Sequence, residues 1–227
     1  MSTLSVSQAL TTRKSVRVFK DTPVKQSLIN EILTLAGQSA SGGNVQPWHV
    51  DVLAGDALKS LTHTVQGFIQ ASGGKSQPEF PTYPTKLTAP YHARRGDCGE
   101  LMYQALGIAR EDKMSRMMQT MKNYEFFGAP VGIILSMKRD MGEPQCLDIG
   151  IYLQSIMLLA KERGLDTCPQ VAWTVFPQPV REALDLGDDM KVMVGIALGY
   201  KADDEAVNEI NQPRATLTDY VNFRGFD

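Results

Sequence analysis

Cysteine is scarce in this chain. Cys98, Cys146 and Cys168 are odd in number, widely spaced and form no C-x-x-C. A disulfide framework and a structural zinc site therefore have no support, and a reducing cytoplasm is the expected compartment. His49, His63 and His92 lack ligand spacing, so packing or surface roles are expected of them rather than metal or base chemistry. Long hydrophobic runs are missing too. The stretch Val131 to Leu135 suits a buried strand and is far too short for a membrane span. Met1 to Leu10 shows no charged segment followed by an apolar one, so no secretory signal is expected. No basic surplus exists either. A net charge of -2 argues against nucleic acid as a partner, though it leaves room for a local basic pocket holding a small anion.

Several common motifs are absent. There is no G-x-G-x-x-G, hence no support for a dinucleotide fold of the Rossmann type. Gly73-Gly74-Lys75-Ser76 has the tail of a phosphate loop, but the earlier glycine that such a loop needs falls on Ile69. Neither G-x-S-x-G nor H-E-x-x-H occurs, so a hydrolase serine and a zinc protease are not indicated.

What remains is a chain of 227 residues, 43% hydrophobic and 21% charged, ordinary for a globular protein. The pattern predicts helices over 5–12, 23–38, 56–70, 95–106, 110–123, 145–163 and 179–186, and strands over 49–54, 129–137 and 191–200. Pro23 is expected to open the second helix, and Ser39 to Gly43 to end it. The segment 72–90 reads as a loop too long for an ordinary connector, hence a lid or a crossing arm. The helix over 145–163 is apolar nearly all round, as a helix buried between packed units would be. With no repeat and no clean boundary, one α+β domain over 1–227 is the simplest organisation.

Three stretches carry chemistry. Arg13-Lys14-Ser15-Val16-Arg17 offers three cations and a hydroxyl in five residues. An isolated basic run is ordinarily a solvated face. Extended backbone changes that, because it directs Arg13, Ser15 and Arg17 to one side and Lys14 to the other. Convergent guanidinium groups bond phosphate oxygens through paired N–H donors. Ser41-Gly42-Gly43-Asn44-Val45-Gln46-Pro47-Trp48 is a glycine-broken turn whose carboxamides, Asn44 and Gln46, both donate and accept, which suits a flat polar ligand. Cys168-Pro169-Gln170-Val171-Ala172-Trp173 has two readings that the sequence leaves open. It is either a proline-broken strand end, or a stiffened segment with N–H groups aimed at the edge of a planar ring.

In this order the stretches resemble the FMN-dependent nitroreductase family, and within it the branch similar to nitrobenzoate reductases. The likeness extends to Asn123-Tyr124-Glu125-Phe126-Phe127-Gly128-Ala129-Pro130-Val131, to Leu165-Asp166-Thr167-Cys168-Pro169-Gln170 and to Gly195-Ile196-Ala197-Leu198-Gly199-Tyr200. The resemblance implies an α+β fold, a mostly antiparallel sheet wrapped by helices, assembled as an intertwined homodimer with FMN at the interface. It implies that Arg13, Lys14, Ser15 and Arg17 belong to the cofactor site: Arg13 and Ser15 on the phosphate with help from Arg214, Arg17 nearer the ribityl and pyrimidine side. Ser41, Gly42, Asn44 and Gln46 would come from the partner chain, and Pro169, Gln170, Val171 and Ala172 would run beside the ring. Some family members carry glutamate then glycine where this chain has Val171 and Ala172, so any carboxylate role there is lost. Tyr91, Tyr124, Phe126 and Phe127 are expected to line the substrate mouth. The implied activity is NADH- or NADPH-dependent reduction of nitroaromatics or quinones through flavin N5, with no side-chain nucleophile and no metal. Reductive dehalogenation, flavin modification and flavin binding without turnover stay open beside it.

Overall fold

The computed structural model describes residues 4–226. Met1–Thr3 and Asp227, the ends of the single domain read over 1–227 and part of the segment judged to lack a secretory signal, lie outside the described residues. Helix α1 (Val6–Thr12) starts where Ser5 accepts a hydrogen bond from the Gln8 N–H, while the Gln8 side chain takes the Ser5 N–H in return. Helix α2 (Gln26–Ala36) begins after Pro23 rather than at it. The φ that proline imposes serves extended chain as well as a helix, and Lys25 is still extended. The helix also ends earlier than expected, at Gly37; Gly42–Asn44 forms a separate 3-10 turn.

Strand β1 (His49–Ala54) leads into α3 (Gly55–Ala71), the loop 72–90, α4 (Tyr91–Ala105) and α5 (Lys113–Met121). Helix α4 starts at Tyr91, before Arg95 where the sequence pattern placed it. Strand β2 (Val131–Lys138), helix α6 (Glu143–Glu162), strand β3 (Asp166–Gln170), helix α7 (Pro177–Ala183) and strand β4 (Met190–Gly199) complete the order. The four strands form one antiparallel sheet in the order β1-β2-β4-β3, which gives the α+β class. Central β2 and β4 are buried along nearly their whole length, as their unbroken apolar runs require. Ile134 faces one core with Val65, Phe126, Trp173 and Val180. Its neighbours Ile133 and Leu135 face the other, with Ile32, Ile149 and Ile156. Among the described residues no helix is long and apolar enough to cross a membrane.

Two glycines in the central strands shape the first core. Phe126 stacks on Trp173, ring centroids 4.4 Å apart. A Cβ on Gly132 would stand 2.6 Å from the Phe126 ring, and one on Gly195 would lie inside the Trp173 indole. The sheet is therefore bare where the aromatic pair lies on it. Gly195→Ala is expected to force the indole off its site and lower unfolding free energy by about 3 kcal/mol, read as a fall in the urea midpoint at constant slope.

Candidate active site

The Arg13–Phe19 segment runs extended beside β3, not as part of the four-stranded sheet. The Val16 N–H donates to the Thr167 carbonyl at 3.1 Å, and Ser15 bridges Thr167 in parallel. On its other side Asn208 pins it. The Asn208 Oδ1 accepts the N–H groups of Arg17 (2.8 Å) and Val18 (3.2 Å), and its Nδ2 donates to the Val18 carbonyl at 2.8 Å. Val16 is fully buried, so alternation turns its neighbours outward. Lys14 is drawn to the tail, where its Nζ meets the Glu209 carboxylate at 3.1 Å. Arg13 and Arg17 meet no carboxylate among the described residues. The Arg17 guanidinium donates to the Ser15 carbonyl at 3.1 Å and lies 6.0 Å from the centroid of the Phe127 ring.

Arg13 is the most telling of the three. Its Nε is buried without a hydrogen-bond partner. Burial and then the neighbouring Arg214 guanidinium hold Arg13 below the ordinary arginine range. Among the described residues Arg214 itself bonds only backbone carbonyls, of Gln212 and Pro213. Like charges gathered around an orphaned donor, with no acid paired to them among the described residues, could hold an anion.

The buried Cys168 thiol lies in the field of both Arg17 and Arg13, yet burial outweighs them and pushes it up to about 11. It is no thiolate nucleophile at neutral pH. Pro169 follows it, half-buried, and β3 ends in a 3-10 turn over Val171–Thr174, whose first N–H groups have no acceptor within the turn. The Gln170 side chain is turned inward and donates to the Asn123 carbonyl at 2.8 Å. The Tyr124 hydroxyl donates to the Ala172 carbonyl at 3.1 Å.

The turn over 41–46 is built from within. Gln46 N–H donates to Ser41 Oγ at 3.0 Å, and the Gln46 carboxamide to Asn44 Oδ1 at 3.1 Å. Asp148 of α6 accepts the Gly42 N–H at 3.1 Å and ties the turn to that helix. Gly43, Asn44 and Gln46 all have positive φ, a strained conformation for Gln46. Among the described residues no hydrogen bond joins this turn to the arginine segment.

The aromatics fall differently from expectation. Tyr91 is exposed, but Tyr124, Phe126 and Phe127 are buried in the core rather than arrayed around an opening. Phe126 has no exposed surface and is walled in by Trp173 and Gly132. Phe126 and Phe127 both adopt positive φ (48° and 54°), a cost of about 1–3 kcal/mol each. That double turn is what brings the Phe127 ring under Arg17.

Three residues that the sequence reading did not single out hold the parts in place. Asn208 and Asp148 are described above. The third is Glu79, its side chain 3% exposed. It accepts from Arg181 (2.6 Å), from Arg139 (2.8 Å) and from the Val192 N–H (3.2 Å), and so fixes the base of the loop 72–90. A cavity of about 700 Å³ lies nearby, between α3 and α7, lined by Phe68, Lys75, Phe176 and Arg181 among others. No predicted site residue lines it.

Fold and site together define an α+β domain with an anion-ready edge built on β3. The chain belongs to the nitroreductase family, whose sequence profile matches residues 10–200. It is 35% identical over 215 residues to a 4-nitrobenzoate reductase of Pseudomonas putida, covering 95% of this chain and 93% of that one. Its structure is similar to the FMN- and NADPH-dependent nitroreductase NfnB from sphigopyxis sp. strain HMH, with a TM-score of 0.95 and 42% identity, over 98% of this chain and 100% of the other. It is also similar to the FMN-dependent nitroreductase NfnB from Mycobacterium smegmatis, solved in complex with NADPH, with a TM-score of 0.90 and 30% identity, over 96% and 97% of the two chains.

The buried thiol gives a pH prediction. An unfolded cysteine loses its proton near pH 9.0, the buried Cys168 only near pH 11. Between these values the folded state binds the extra proton, so stability falls as pH rises. Wild type is expected to lose about 2 kcal/mol relative to Cys168→Ala between pH 8 and pH 11, measured as the difference in their urea unfolding curves.

Proposed function

We propose that the chain is an NAD(P)H-dependent nitroreductase that carries FMN at the interface of a homodimer and reduces nitroaromatic compounds or quinones. The single observation that carries this reading is the half-buried Arg13 beside Arg214, its Nε buried without a partner and, among the described residues, its guanidinium free of carboxylates. The likeness to FMN-dependent nitroreductases supports reading that anion site as the place of the FMN phosphate. FMN, when bound, supplies the two-electron chemistry that passes hydride from the nicotinamide to the acceptor.

The chain's own residues bind and orient. Arg13 and Ser15, with Arg214, hold the phosphate. Arg17 stands next along the same strand and would place a positive charge beside the ribityl and pyrimidine end, a fixed electrostatic bias toward the anionic reduced ring. The segment Pro169 to Ala172 stiffens one wall, with the opening N–H groups of its 3-10 turn available to the ring edge. Val171 and Ala172 contribute backbone alone. No side chain need act as nucleophile, and the protonated Cys168 agrees with that.

A second copy of the chain completes the site. Helix α6 leaves Leu147 71% exposed and Ile151 45% exposed, one turn apart on a single face. Val45 in the turn is exposed as well. Such a contiguous apolar face needs a cover. A two-fold pairing would set the 41–46 turn of one chain against the arginine edge of the other. The tail aromatics Tyr220, Phe223 and Phe226, all exposed, would dock across the same seam.

Two outcomes test this. The purified protein should be yellow and should bleach with NADPH or NADH under anaerobic conditions. In Arg13→Ala, loss of one charge-assisted contact of about 1.5–3 kcal/mol should weaken FMN retention by about ten- to a hundredfold, measured by fluorescence titration of released flavin. Unchanged FMN affinity removes the anion site from the account. Separately, Leu147→Glu with Ile151→Glu should place like charges across the two-fold axis. Sedimentation is expected to show a folded monomer depleted of FMN.

A further inference from the structure

The cations of this chain divide into two sets. Arg116, Arg139, Arg163 and Arg181 each meet a carboxylate. Arg94 and Arg95, neighbours in the first turn of α4, meet none among the described residues. They stack on tyrosines instead. The Arg95 guanidinium lies 4.1 Å from the centroid of the Tyr83 ring, and that of Arg94 lies 5.9 Å from the centroid of Tyr91. All four side chains are exposed. Of the acids on the same helix, Glu100 is taken by Arg116, and Asp97 makes no ion pair with Arg94 or Arg95. Tyr83 belongs to the loop whose base Glu79 clamps, so the stacking partner of Arg95 is itself tethered.

The position of this pair matters as much as its charge. Gln212 Nε2 donates to the Cys98 carbonyl at 3.4 Å, about one helical turn, roughly 5.4 Å, along α4 from Arg94. Two residues further on, the same tail supplies Arg214, the neighbour of Arg13. Helix α4 also packs on the 3-10 turn Ala206–Asn208, whose Asn208 holds the arginine segment. The α4 pair therefore stands on the same flank as the phosphate-ready edge, set apart from it along the helix.

We propose that Arg94 and Arg95, framed by Tyr83 and Tyr91, form a second anion site that receives the 2′-phosphate of NADPH and so sets the choice of electron donor. The proposal rests on the flavoenzyme reading above. A guanidinium stacked on a ring keeps its N–H edge free for oxygen ligands. Two such edges match a dianionic phosphomonoester better than the single charge of an aromatic carboxylate. Exposed aromatic faces beside them suit an adenine. The pair lies apart from the FMN phosphate site, where the far end of a dinucleotide belongs.

The test compares wild type with Arg94→Ala/Arg95→Ala, both loaded with FMN. Calorimetric titrations use 2′,5′-ADP and 5′-AMP. Kinetics use NADPH and NADH with nitrobenzene and with nitrobenzoate as acceptors. Wild type should bind 2′,5′-ADP more tightly than 5′-AMP. In the variant the ratio of the two affinities should fall by roughly tenfold for each arginine removed. The NADPH-to-NADH ratio of kcat/KM should fall in step. If both ratios stay as in wild type, or wild type binds the two nucleotides alike, the proposal is overturned. A loss seen only with nitrobenzoate relative to nitrobenzene also overturns it, by assigning the pair to the acceptor. A protein that takes up no flavin refutes the proposed function instead, and the nucleotide titrations alone then decide this site.

Discussion

The guanidinium groups of Arg13, Arg17 and Arg214 are held at one edge of the sheet with no carboxylate partner among the described residues, and the structure around them resists their dispersal. Left to itself such an arrangement would relax, because exposed arginines find acids or spread into solvent. Here backbone bonds from Thr167 on one side and the Asn208 carboxamide on the other fix the segment in register. Lys14, the one cation of the run facing away, is neutralised by Glu209. The cost of the orphaned Arg13 Nε is borne by a core large enough to impose the geometry. An anion that settles among these groups recovers that cost on binding, which is how a preorganised site gains affinity.

The same core links the arginine edge to the wall opposite. Gly132 and Gly195 leave space on the sheet for Phe126 and Trp173 to stack. Phe126 there commits the chain to its double positive-φ turn, and the next ring, Phe127, comes to rest under Arg17. Two residues before Phe126, Tyr124 donates to the Ala172 carbonyl and fixes the far end of the Pro169 segment. The three aromatic positions 124, 126 and 127 thus brace the Arg17 and Ala172 segments from within the core. Backbone strain at Phe126 and Phe127 is sustained because burial of the two rings outweighs it.

This division explains what was legible beforehand. Helical and strand periods are local, so β1 and the bulk of every helix could be read from the chain, and the alternation that separates Arg13, Ser15 and Arg17 from Lys14 is equally local. The short strand β3 shows in the sequence only as one of two readings, a proline-broken strand end, since five residues carrying a proline give little period. Aromatics look alike in sequence whether they face a ligand or a core, so the pattern at Tyr124, Phe126 and Phe127 suits a substrate mouth as well as the core in which they are buried. The supporting polar residues act across long separations in the chain. Asn208 lies in a tail that reads as irregular, and nothing local marks it. Two others did leave a trace: Asp148 is the one acid between the two ends of the apolar helix α6, and Glu79 is the only acid in the loop 72–90. An unpaired charge in an apolar or neutral stretch generally has a structural partner elsewhere.

On the reading proposed above, the two halves of the cofactor site sit on different chains, and this has a thermodynamic consequence. The turn over 41–46 is tied through Asp148 to α6, the helix whose Leu147 and Ile151 lack a cover in the single chain. Whatever buries that apolar face also brings in the turn. Anything that binds only the assembled state stabilises the assembly by mass action, so phosphate held by Arg13 on one side and contacts from the turn on the other would couple cofactor binding to pairing. The coupling must run both ways, since linkage is reciprocal. Asp148 Oδ2, buried and without a partner among the described residues, stands at the junction of the two processes. An unsatisfied carboxylate there penalises the lone chain more than the pair, provided pairing brings it a donor, and that difference would add to the apolar drive toward the dimer.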